Sequence, residues 1–305
     1  MKQTNGATMQ PVLAAALWML GAILSFSALA VAGREAMAGL TIPELLFYRS
    51  LIGIAIVLAA GALTSGAAGL FILPGRRYGL HLLRNIAHFT GQMLWYFALA
   101  SIPLAQVFAL EFTSPIWAVL MAPLLLGERL TTRALLTALA GFVGILIVAR
   151  PAPGAIEAGT LAAALAAIGF AGSAVFTRRL TRHAGTLEIL LWMSAMQAVM
   201  ALLAALIDTG SIRLLSARSL PFVLLVAAAG LSAHFCLTRA LSLAPASTVI
   251  PLDFARLPLI AIIGMALYGE PLDPFVFIGG AVIFAANYYN IRRESRPERA
   301  KTGAK

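Results

Sequence analysis

The feature that most constrains this chain is a series of long apolar runs that ionisable residues barely interrupt. A membrane-spanning helix needs about 20 mostly apolar residues. Measured against that length, ten runs stand out: 11–31, 43–61, 80–99, 103–126, 133–148, 159–176, 188–206, 220–238, 245–268 and 274–289. Charged residues make up only 11% of the 305 positions and apolar ones 61%, whereas soluble domains run near 25% charged. Unbroken runs without alternation predict helices rather than barrel strands. The first run exceeds the 7–15 residue core of a signal peptide, so it counts as a span. The same figures exclude disorder, collagen-like repeats and a disulfide scaffold. Cys236 is alone and supports neither an internal disulfide nor a metal cluster.

A net charge of +10 in a soluble protein would suggest nucleic acid. Here the basic residues sit in short pieces between the runs and read as topology signals. With both termini in the cytoplasm, the inner segments hold fifteen Lys and Arg residues: Lys2, Arg76, Arg77, Arg129, Arg133, Arg178, Arg179, Arg182, Arg239 and six after Ile291. The outer segments hold four, Arg34, Arg150, Arg213 and Arg218. This positive-inside bias requires an even number of spans.

The two halves resemble each other. A shift of 142 superposes Ala98-Leu99 on Ala240-Leu241, Pro103 on Pro245, Glu111-Phe112 on Asp253-Phe254 and Gly127-Glu128 on Gly269-Glu270. A shift of 144 superposes Phe26 on Phe170, Arg34 on Arg178, Glu44 on Glu188 and Ser50 on Ser194. Five helices per half is an odd number, so the second copy is expected upside down relative to the first. That is a recurrent architecture in which the binding site lies at the midplane between the copies. The expected organisation is an all-α integral membrane protein with ten transmembrane helices. The first repeat takes residues 1–150, the inverted second takes 151–290, and a basic cytoplasmic tail, 291–305, faces the inner leaflet.

The sequence resembles the EamA-type members of the drug/metabolite transporter superfamily. The resemblance rests on Ile102-Pro103-Leu104-Ala105, the stretch Ala109–Trp117, the segment Leu125–Leu130, and Gly141-Phe142-Val143-Gly144. Leu252-Asp253-Phe254 and Tyr268-Gly269-Glu270 match more loosely. It covers nearly the whole chain and implies a ten-helix carrier of small metabolites in the bacterial inner membrane, with both termini inside. It leaves the substrate and the oligomeric state open.

Several ionisable residues fall inside spans: Arg49, Arg84, His88, Glu111, His234, Asp253 and Arg256. Each charge at a helix centre costs about 2.5–3.5 kcal/mol, so five would cost on the order of 15 kcal/mol. They must pair or meet water in a cavity. Glu111 precedes Pro115 by four residues, and proline clashes with the carbonyl at i−4. A kink and a freed carbonyl are therefore expected at the carboxylate. Glu111 reads either as a ligand or proton site or as a locking ion pair with Arg49 or Arg84. Pro251 and Pro258 repeat the device beside Asp253 and Arg256, which share a helical face and can pair. Inverted symmetry assigns Glu111 to the outer and Asp253 to the inner side of the midplane, as for two alternating gates.

Arg84, His88 and Gln92 form a polar stripe at spacing four, with Trp95 and Tyr96 beyond. Arg84 reads as a cavity residue or as a side chain snorkelling to phosphates. His88 and His234 read as proton-coupling groups or as packing residues. Trp95 and Trp117 are stacking candidates. The glycines at 141, 144, 279 and 280 suit close helix packing.

The function these residues suggest is a secondary carrier for a small polar or zwitterionic metabolite: an amino acid, an amino-acid-derived metallophore or a nucleoside-like compound. No G-x-x-x-x-G-K-[ST] loop occurs, so drive would come from protons or exchange. An intramembrane lipid-modifying enzyme is the alternative, but no His-Glu-x-x-His helix or Asp-rich metal box supports it, and no cofactor is expected. A passive channel is a second alternative. Partners are the substrate, the lipid bilayer and protons, with no nucleic acid.

Overall fold

A computed structural model describes residues 9–65, 77–126, 132–150, 157–243 and 252–294. Among them are eleven α-helices and no strand. In chain order they are α1 (Met9–Ala36), α2 (Ile42–Ser65), α3 (Tyr78–Ser101), α4 (Leu104–Glu111), α5 (Ser114–Leu126), α6 (Thr132–Ala149), α7 (Ala158–Leu180), α8 (Thr186–Thr209), α9 (Leu220–Leu243), α10 (Arg256–Tyr268) and α11 (Pro274–Glu294). Six stretches are long and apolar enough to cross a bilayer: α1, α2, α7, α8, α9 and the α4–α5 stretch 104–121. Shorter apolar helices lie in α6, α10 and α11. Although α3 is 24 residues long, His81, Arg84, Asn85, His88 and Gln92 dilute its hydropathy. All five are buried.

The perimeter is oily. Leu13, Leu17, Leu20 and Leu24 are exposed along one face of α1, and Leu135, Leu136, Leu139, Val143 and Leu146 are exposed on α6. An exposed apolar surface on this scale marks contact with lipid rather than water. The interior is built on small residues. Ala162, Ala163, Ala166 and Ala167 of α7 are buried, and a Cβ on Gly169 would lie 2.8 Å from the Ala87 carbonyl oxygen of α3. Where α6 meets α11, a Cβ on Gly144 would lie 2.9 Å from the Gly279 oxygen, and one on Gly279 2.7 Å from the Gly144 oxygen. These glycines let the backbones touch.

The closest helix pairs are α1 with α9, α3 with α7, α6 with α11, and α2 with α8. Each joins a helix before residue 150 to one after residue 157. The core is thus formed between the halves rather than within them.

The span expected over 103–126 is two helices. After Glu111 the chain turns at Phe112 and Thr113 and restarts at Ser114. Pro115 sits in the first turn of α5, where a missing N–H leaves nothing unsatisfied. It starts a helix and does not kink a continuous one. Nor is the Glu111 carbonyl left free, because Ser114 Oγ donates to it at 2.8 Å. Thr113 Oγ1 donates to Leu110 O at 2.7 Å and Asn287 Nδ2 of α11 to Phe112 O at 2.8 Å. The Leu110, Glu111 and Phe112 carbonyls at the break are thereby satisfied, as a buried irregular segment requires.

A second break lies 142 residues on, at Phe254 and Ala255. There Ala255 N–H donates to Leu252 O at 3.1 Å, the counterpart of the 3.1 Å bond from Thr113 N–H to Leu110 O. Pro251, expected to free the Ser247 carbonyl, lies outside the described residues, as do Gly127-Glu128 and most of the tail. The final helix runs to Glu294, past the expected tail boundary at 291. At the end of α10, Gly269 takes φ +65° and stops the helix.

Replacing Gly144 or Gly279 by valine should destabilise the protein by about 1–3 kcal/mol through overpacking. Gly79→Ala, where a Cβ meets nothing within 4 Å, should not. Thermal unfolding of the purified protein in detergent reads the difference, and equal midpoints for all three would refute the close approach.

Candidate functional site

The two helix breaks bring one carboxylate from each half to a single guanidinium. Arg256 Nη2, at the start of α10, lies 3.3 Å from Glu111 Oε1 and 3.1 Å from Asp253 Oδ2. Glu111 Oε2 accepts a second bond from the Trp95 indole N–H at 2.7 Å. The Arg256 side chain is 4% exposed. Its guanidinium carbon stands 4.7, 4.9 and 5.0 Å from the ring centroids of Phe26, Phe108 and Phe112. Three aromatic rings and two carboxylates replace the water that this cation would otherwise need. Because one nitrogen holds both acids, Glu111 and Asp253 occupy one site, not the two separated gates expected from the sequence. Where Glu111 was open to a locking pair with Arg49 or Arg84, or to a ligand or proton role, its ion-pair partner is Arg256. The expected Asp253–Arg256 pair is present.

Arg49 and Arg84 belong to a neighbouring, cation-rich lobe. Arg49 of α2 donates to Gln197 Oε1 of α8 at 3.1 Å. The Gln92 amide, oriented as its neighbours require, accepts from Arg49 Nη1 at 2.6 Å and Nη2 at 2.8 Å and donates to Gln197 Oε1 at 3.0 Å. Arg84 is 7% exposed, so it is turned into the bundle and does not snorkel. Its Nε donates to Thr177 Oγ1 at 3.2 Å and its Nη1 to Asn85 Oδ1 at 3.1 Å. Among the described residues, neither arginine forms an ion pair with a carboxylate.

His88 Nδ1 lies 3.3 Å from Ser173 Oγ of α7, and its ring tilts against Phe170. His234 of α9 is exposed, yet its ring packs edge-on against Phe26 with centroids 5.5 Å apart. Its charged neighbours are Arg84, Arg49 and Arg256, from three other helices. It therefore stands on the side of α9 that faces these arginines.

Polar ties also fasten the halves at one end of the bundle. Arg34, at the end of α1, pairs with Glu270 and donates to Leu99 O at 2.6 Å and Ile102 O at 2.8 Å. Glu270 Oε2 accepts from the Leu104 backbone N–H at 2.9 Å. Tyr268 lies under the Arg34 guanidinium and donates to Glu35 at 2.9 Å. Buried Glu44 accepts from Arg213 Nη2 and from Arg213 N–H, each at 2.9 Å. This contact raises the pKa of the Arg213 guanidinium above its ordinary value. While Glu44 is ionised, this raised value contributes stability that is fully present below the normal range for arginine and is lost as pH rises above it. Arg150 pairs with Asp273 in the same region.

All ten residues singled out from the sequence (Arg49, Arg84, His88, Gln92, Trp95, Glu111, Pro115, His234, Asp253, Arg256) lie at or beside these two lobes. Trp117 instead packs edge-on against Phe142. Sequence reading missed Gln197 and the phenylalanine cage at 26, 108 and 112. Gln197 was findable as the only amide in its apolar run. The phenylalanines carry no signal until the breaks set their direction.

The profile of the EamA-like transporter family matches residues 13–150 and, separately, 157–291. A riboflavin transporter of Brucella anthropi is 30% identical over 294 residues, 92% of this chain and 99% of that protein. An S-adenosylmethionine uptake transporter of Rickettsia bellii is 24% identical over 71% of this chain and 74% of its own length. A pseudopaline exporter of Pseudomonas aeruginosa is 26% identical over 87% and 91%. A protein of known crystal structure, 22% identical, shares the fold with a TM-score of 0.61 over 93% of this chain and 98% of its own.

Arg256→Leu, which strands two partly buried carboxylates, should cost about 3 kcal/mol of stability. Glu111→Gln, which keeps an acceptor for Trp95, should cost less, and combining the two should restore part of the loss. Chemical unfolding in detergent checks the order; an Arg256→Leu protein as stable as wild type would contradict it.

Proposed function

The chain belongs to the EamA-like transporter family, and we propose that it is a secondary carrier that moves a small polar or zwitterionic metabolite by alternating access. It is a membrane-embedded transporter of small molecules and not an enzyme, as its family and relatives are. In the proposed carrier, ten spans form two inverted five-helix repeats over 1–150 and 151–290, with both termini on the cytoplasmic side of the inner membrane. Three observations support this reading: the separate family matches to each half, the equivalent breaks 142 residues apart, and the packing. Exchanging the halves turns the α1–α9 pair into α7–α3 and leaves α2–α8 and α6–α11 unchanged, and all four are the closest pairs of the bundle. A two-fold relation between the copies produces that pattern.

The observation that carries the proposal is the contact of Glu111, Arg256 and Asp253 inside the bundle. Such a group is costly to bury and is a functional site by default in a membrane. Each half contributes a carboxylate, so relative movement of the halves must change the contact. A cargo group or a proton that competes for Glu111 weakens the tie to Arg256, and the paired state returns when it leaves. That couples occupancy to conformation through a differential interaction, as alternating access requires. The ties of Arg34 to Glu270, Glu44 to Arg213 and Arg150 to Asp273 would then close the outer end. Relatives named as an uptake transporter and as an exporter fit a carrier whose direction is set by its gradients.

Riboflavin, named for relatives matching over nearly the whole chain, is the first cargo to test. Purified protein in liposomes loaded with unlabelled riboflavin should accumulate external labelled riboflavin by saturable counterflow. Glu111→Gln should lower the rate at least about tenfold, the expected scale for losing a buried charged contact. Flux unchanged in that variant would contradict the assigned role of Glu111, and steady conductance without counterflow would indicate a channel.

A further inference from the structure

We infer that Arg49 and Arg84 form the seat for an anionic group, a carboxylate or a phosphate, on the transported cargo. The inference rests on the carrier reading above and narrows its substrate class. In the middle of the bundle stand three arginines, at 49, 84 and 256, and two carboxylates, Glu111 and Asp253. Both carboxylates are held by Arg256. The other two guanidinium groups face only neutral acceptors: the amides of Gln92 and Gln197 for Arg49, and Thr177 and Asn85 for Arg84.

Hydrogen bonds to amides and hydroxyls satisfy donors but leave the charge uncompensated. A buried cation without a counter-ion is one of the costlier arrangements in a low-dielectric interior. The arrangement also supplies spare donors. Gln197 is 1% exposed and its Nε2 has no described acceptor, and Arg84 Nη2 makes no hydrogen bond to a described residue. Arg49 presents a planar fork to Gln92, and a carboxylate or phosphate fits that fork better than an amide oxygen does. His88 and His234 stand beside both arginines. Glu188 of α8 lies 3.8 Å from His81, a turn away along α3, and among the described residues no carboxylate bonds to Arg49 or Arg84.

An anion entering here would displace the Gln92 oxygen from Arg49, meet Arg84, and bring the interior close to neutrality. The rest of the cargo would extend toward Trp95 and the Glu111 side, where a cationic or hydrogen-bond-donating part finds the acids. The two lobes thus sort the two ends of an asymmetric cargo, the anionic end being the one that the chain itself leaves unmatched.

The test uses the full-length protein in detergent, with inorganic phosphate and benzoate as probes against chloride at equal ionic strength. Both probes are small enough to reach the lobe whatever the shape of the natural cargo. Each should raise the unfolding midpoint by about 2 °C or more at saturation. The shift should vanish in Arg49→Gln and Arg84→Gln and persist in Arg150→Gln, whose exposed pair lies at the end of the bundle. Arg49→Lys, which keeps the charge but not the fork, should retain a reduced shift. Absence of any shift in the wild type, or an equal shift in Arg49→Gln and Arg84→Gln, would overturn the anion seat. Counterflow by the same preparation, run with riboflavin, which carries no anionic group, and with its 5′-phosphate, which does, separates the two ideas. Flux without an anion response rejects the seat alone, and an anion response without flux of any metabolite pair rejects the carrier reading.

Discussion

The structure depends on where a charge can be placed inside a bilayer. A guanidinium at the centre of a bundle has no water to stabilise it, and Arg256 receives substitutes from both halves of the chain: Glu111, Asp253 and the faces of three phenylalanines. The helix breaks at 112–113 and 254–255 follow from the same need. A continuous helix would fix the direction of Glu111 by its neighbours, whereas a break lets the carboxylate, the ring of Phe112 and the start of α5 turn independently. Ser114, Thr113 and Asn287 then satisfy the carbonyls that the break releases. Interior charge, broken helix and polar repair are one connected arrangement.

Around this centre the packing follows from helices that have no hydrophobic drive to associate in lipid. Contact is gained by removing side chains, as at Gly144 and Gly279, so that backbone meets backbone. Because the closest pairs link one half to the other, neither half owns a complete core. In the proposed carrier, one half would move against the other along these small-residue seams. The bonds that resist such sliding are the polar ones at one end of the bundle, from Arg34 to Glu270 and from Arg213 to Glu44. They are directional and individually replaceable, which suits the gating role proposed for them.

Much of this was legible in the sequence. The apolar runs announced the helices, and the rarity of charge within them pointed to Glu111, Arg256 and the stripe on α3, all of which lie at the centre. What the sequence could not supply was pairing across space. Of the two sequence readings of Glu111, the locking pair names Arg49 or Arg84 as partner, since nothing in one dimension says that a break will turn it toward Arg256. A proline at 115 within a continuous helix predicts a kink four residues back; its actual place in the first turn of a new helix depends on the Phe112–Thr113 turn, which no residue type there dictates. Arg84 could equally have reached the lipid headgroups. Only the hydroxyl of Thr177 on another helix explains why it turns inward.

If Arg49, Arg84, Glu111, His234 and Arg256 line an aqueous crevice inside the bundle, a side chain placed among them is open to water-soluble reagents in the membrane. In a Cys236→Ser background, His234→Cys should react with a charged, membrane-impermeant thiol reagent added to one face of the membrane. Leu224→Cys, on an exposed apolar stretch of the same helix, should not react. Labelling of position 234 that is slowed by bound cargo is the result this account requires. A cysteine at 234 as inert as one at 224 would place that face in lipid and contradict it.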